Sequence, residues 1–77
     1  MDLLTRRTVV LSGIPTIIAL EEPFWCALDE IAEKRGLPTQ ELVRRWAEDP
    51  ANRESRLRLQ VIAHWRYFGI PAAHPTD

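Results

Sequence analysis

The sequence predicts a mostly α-helical fold with short β-structure near its N-terminal end. Three observations predict it. Residues 16–20, Thr16-Ile17-Ile18-Ala19-Leu20, are β-branched and aliphatic, and they run through Glu21-Glu22 into Pro23, a residue suited to the first turn of a helix. Beyond Pro23 the apolar residues recur at helical spacing in three separate blocks. A 77-residue chain buries only about 60% of its unfolded surface, and a lone strand leaves its backbone donors and acceptors unpaired. The expectation is therefore a homodimer, in which this strand pairs with its own copy from a second chain.

The elements follow in order. Residues 5–11 read as a first strand, apolar at its end through Val9-Val10-Leu11. Ser12-Gly13 is a turn signal, and the two strands around it could make a hairpin, although Ile14-Pro15 lengthens the turn beyond the ideal two residues. The second strand covers about 16–20. Helix one is expected over 23–35, with Phe24, Leu28 and Ile31 on one stripe, widened by Trp25, Ala27 and Ala32. Lys34 and Arg35 complement its negative end, and Gly36 is a natural left-handed residue beyond it. Pro38 blocks continuation, and Thr39 reads as the N-cap of helix two, about 40–47. Leu42, Val43, Trp46 and Ala47 form its apolar face, with Arg44 and Arg45 opposite. Glu48 to Asn52 reads as a break, Asn52 as a cap, and helix three as 53–68, with Leu57, Val61, Trp65 and Phe68 on one stripe. Gly69 would end it, and 70–77 reads as a tail, so 1–77 is expected to be one domain.

Composition narrows the function. Cys26 is the one cysteine, so no intrachain disulfide forms; it reads as a small buried hydrophobe and suits a reducing compartment, the cytoplasm. With His64 and His74 as the only histidines, a Cys/His zinc set lacks ligands, and neither metal nor cofactor is expected. No leader opens the chain and no run approaches ~18 apolar residues, so no membrane partner is expected. Three scattered glycines build no phosphate loop, and no nucleophile set or paired carboxylates stand in a plausible cleft, which argues against an enzyme. The formal net charge of −1 supplies no overall attraction to nucleic acid.

The order strand, helix, glycine turn, helix carries a resemblance. Thr16 to Glu21, Phe24-Trp25, Ala27-Leu28, Glu30-Ile31-Ala32 and Arg35-Gly36, then Leu42-Val43, then Asn52, Ser55, Leu57-Arg58, Val61, His64 and Arg66 form one ordered set. It resembles the ribbon-helix-helix family of dimeric DNA-binding proteins, the Arc and MetJ class, and within it a bacterial subgroup with an extra N-terminal strand and a third helix. The resemblance implies an intertwined homodimer through an antiparallel β-ribbon, one strand per subunit, entering the major groove of double-stranded DNA. Counting back from Leu20, Thr16, Ile18 and Leu20 would face the core, and Pro15, Ile17 and Ala19 the DNA. The dimer core would comprise Ile18, Leu20, Phe24, Leu28, Ile31, Leu42 and Trp46. Thr39 and Gln40, at the start of helix two, would anchor a phosphate, with Arg6 and Arg7 adding charge. In the family the outward positions are normally polar; here all three are apolar.

Two functions follow. The first is a small dimeric transcriptional regulator, a repressor or autoregulator. The second is a protein–protein interaction module that keeps the dimer fold and uses the apolar ribbon face to bind a partner protein.

Overall fold

The computed structural model describes residues 3–68. Two strands open it, β1 (Leu4–Leu11) and β2 (Ile14–Glu21), paired antiparallel from Leu11 opposite Ile14 to Leu4 opposite Glu21. The turn between them is two residues long. Ser12 (φ 54°) and Gly13 (φ 78°) are both left-handed, the conformation that joins twisted strands most tightly. The longer turn expected from Ile14-Pro15 is therefore corrected: both residues belong to β2. Pro15 is tolerated because it stands opposite Val10, whose N–H points away from the ladder and donates to Gln40 Oε1 at 3.2 Å. At that pair a missing proline N–H removes no ladder bond.

β2 has β1 as a neighbour within its own chain on one edge, the hairpin that the two strands around Ser12-Gly13 allowed.

Three α-helices follow: α1 (Glu22–Arg35), α2 (Thr39–Trp46) and α3 (Arg53–Phe68), with a short 3-10 turn at Pro50–Asn52. α1 starts directly from β2 because Glu21 is still extended (φ −63°, ψ 146°) and Pro23 is already set for the first turn. It stops at Gly36 (φ 70°), where Gly36 N–H donates to Glu33 O and Leu37 N–H to Ala32 O. The N-cap of α2 is Pro38, not Thr39. Thr39 is the first helical residue, and its hydroxyl donates to Asp29 instead of capping. Asn52 closes the 3-10 turn, its amide donating to Asp49 Oδ2.

The inner face of the hairpin (Val9, Leu11, Ile18 and Leu20) packs on Trp25, Leu28, Ile31, Leu42, Val43, Leu57 and Val61. Each fully buried aliphatic side chain here contributes roughly 1.5–3 kcal/mol of transfer free energy. Trp25 is fully buried, and its indole N–H donates to the Thr5 carbonyl at 2.8 Å, tying α1 to β1. Trp46 and Trp65 are half-buried; Trp65 stacks on Phe24 with ring centroids 5.8 Å apart. Cys26 is exposed, which corrects its reading as a buried hydrophobe. One residue beyond Trp25 turns the helix by about 100°, away from the core. Phe68 is also exposed and lies against His64 rather than in the core. Gly69 and the tail at 70–77 lie outside the described residues.

Candidate nucleic-acid interface

A hairpin turned on its inner face presents the alternate residues outward. The register sets Arg6 opposite Ala19, Thr8 opposite Ile17, and Val10 opposite Pro15. Arg6, Thr8, Val10, Pro15 and Ile17 are exposed, Ile17 to 65%, and Ala19 is half-buried. The three ribbon residues assigned from sequence, Pro15, Ile17 and Ala19, thus share one outward face. They are not alone on it. β1 brings a guanidinium and a hydroxyl, Arg6 and Thr8, directly beside the two apolar residues. Thr8 escaped the sequence reading. A two-residue turn at Ser12-Gly13 would have fixed the register and disclosed it.

Arg7 is on the other side, because neighbours on a strand alternate. Its guanidinium donates to both carboxylate oxygens of Asp29, at 2.9 and 3.0 Å, and lies 4.6 Å from the centre of the Trp25 ring. Arg7, grouped with Arg6 as a phosphate contact in the expectation from sequence, is thus engaged with α1. The pair holds the Asp29 carboxyl below its usual range and raises the Arg7 guanidinium.

Asp29 does more than pair with Arg7. Oδ1 also accepts from the Thr39 hydroxyl at 2.7 Å. One carboxylate on α1 therefore joins β1 to the first residue of α2. Gln40 adds a second tie, accepting from Val10 N–H. The start of α2 is thus fixed against the hairpin. Glu41 N–H and Leu42 N–H donate to the Pro38 carbonyl. The N–H groups that begin a helix carry a partial positive charge and favour an anion. Thr39 and Gln40 supply the first two such groups. Arg44 and Arg45, exposed on the same helix, both donate to Glu41 and hold its carboxyl down to about 2.

A family model described as a ribbon-helix-helix domain matches residues 4–65. The chain belongs to the ribbon-helix-helix domain family. Members are generally DNA-binding regulators and typically form homodimers. No curated protein and no solved structure matches the chain. The family match runs from the first residue of β1 to Trp65, so β1 and most of α3 are parts of this ribbon-helix-helix domain rather than appendages to it. Among the described residues no helix is long and apolar enough to cross a membrane.

Proposed function

We propose that this ribbon-helix-helix domain is a small dimeric DNA-binding transcriptional regulator, a repressor or autoregulator working in the cytoplasm. Two copies pair β2 with β2 to make a four-stranded sheet. At ~4.8 Å per strand the outer β1 strands stand about 14 Å apart, slightly more than the ~12 Å width of the major groove. The central strands then lie over the base edges and the outer strands over the groove walls. Arg6 on β1 meets phosphate there, and Thr8 donates a hydroxyl. The first N–H groups of α2, at Thr39 and Gln40, anchor a further phosphate. Ile17 and Ala19 touch the groove floor without hydrogen bonds, so they favour thymine methyls and little else. Phe24 and Trp46, half-buried at the margin of the core, keep surface for the second copy.

The observation that carries this reading is the outward hairpin face, Arg6 and Thr8 beside Ile17 and Ala19, in a chain of this family. Fluorescence anisotropy with mixed-sequence and A·T-rich duplexes, titrated across salt, tests it. The expected result is binding that weakens steeply with salt. Arg6→Ala removes two phosphate contacts per dimer and lowers the log–log slope by about 1.8. No binding at micromolar protein and low salt would discard the reading.

A second reading is favoured by one feature. Val10, Pro15 and Ile17 form a continuous exposed apolar strip, which on an uncovered sheet invites association. On this reading a partner protein covers the strip. Ile17→Arg would then abolish partner capture in a chain that binds no DNA; unchanged capture removes the alternative.

A further inference from the structure

Helix α3 lies along the edge of β2 that β1 leaves open. Glu54 and Arg58 are four residues apart on α3, hence on one face, with a rise of ~6 Å between them. Ala19 and Glu21 are two residues apart on β2, on one side of the strand, and about 6.7 Å apart. The spacings match and the residues meet. Ala19 N–H donates to Glu54 Oε2 at 3.4 Å. Arg58 donates from Nε and Nη2 to the two carboxylate oxygens of Glu21, at 3.0 and 3.3 Å.

An open strand edge is a template for another strand, and covering it with a helix is one way a protein closes it. Ala19 N–H is a donor that an added strand would take. We propose that α3 is an intrachain latch on the β2 edge: Glu54 holds the Ala19 N–H that the β2 of a second copy would take, and Arg58 fastens α3 beside it through the Glu21 side chain. The α3 grip and the pairing of two copies exclude each other at Ala19. This regulation rests on the two-copy ribbon put forward above. Leu57 and Val61 on the same helix are buried in the core while the edge is held. Single folded copies therefore persist at low concentration, and association is weaker than an open edge would allow.

Sedimentation equilibrium on the full chain tests the latch, with helicity followed by circular dichroism. Glu54→Ala and Arg58→Ala each remove one grip and are expected to tighten self-association roughly threefold to tenfold. Glu54→Gln keeps the shape, loses the charge and is expected to act in the same direction more weakly. If the alanine variants lose helicity, Glu54→Gln decides alone. Wild-type association with no gain, or a loss, in helical variants overturns the latch and leaves the ribbon standing. Absence of association in the wild type and in every variant overturns both.

Discussion

Trp25→Phe tests whether β1 is an integral part of the domain. Trp25 is fully buried, and its indole N–H reaches the Thr5 carbonyl at 2.8 Å. Phenylalanine keeps a ring in the core and loses that donor. A lost neutral hydrogen bond costs about 1 kcal/mol. The missing part of the indole leaves roughly 40 Å³, worth about another 1 kcal/mol at the usual cavity coefficient. The Arg7 guanidinium, 4.6 Å from the ring centre, still finds an aromatic face, so little more is lost there. The expected destabilisation is about 2 kcal/mol. In a domain this small that lowers Tm by roughly 10 °C or more. Urea unfolding with an unchanged m-value measures it, and amide exchange should show β1 protection falling more than that of α3. A loss below about 0.5 kcal/mol, with β1 exchange unchanged, would refute the claim that α1 fastens β1 through this indole.

Other outcomes follow from the same contacts. Asp29 titrates below its ordinary value of 3.8 because of Arg7 first and Thr39 second. A depressed carboxylate contributes stability above its unfolded pKa and loses it as pH falls through the folded value; acid titration of Asp29→Asn should therefore be flatter below pH 3.8 than that of the wild type. Equal acid sensitivity would show the network to be inert. Gly36→Ala meets nothing within 4 Å, so only its φ of 70° matters, and a thermal melt should show a cost of about 1 kcal/mol. Leu57→Ala empties a fully buried site on α3 and should cost about 2–5 kcal/mol by denaturation. A cost near zero would mean that α3 is not docked on the core.

Local signals made much of the fold legible. Pro23 and Gly36 mark both ends of α1, and the period of two along Thr16 to Leu20 separates buried Ile18 and Leu20 from exposed Ile17. The outward placement of Pro15, Ile17 and Ala19 came from that same alternation. What escaped depends on partners distant in the chain or on an uncommon backbone state. Thr39 looks like a cap until Asp29, ten residues earlier, takes its hydroxyl. Arg7 looks like a free cation until the same carboxylate arrives from α1. The tight turn needs a left-handed serine, a conformation that non-glycine residues seldom adopt, and without it the register of β1, and with it Thr8, stayed hidden.

The pairing of β2 with a second β2 is tested most directly by a nitroxide on Ile17→Cys, in a Cys26→Ser background so that only one thiol is labelled. The outward face carries the label away from the core. Antiparallel pairing near the middle of β2 sets the two labels within about 15 Å, whatever the register within two residues. The account predicts a dipolar-broadened spectrum that sharpens on dilution with unlabelled protein. A sharp spectrum at concentrations where sedimentation gives a dimer would contradict it.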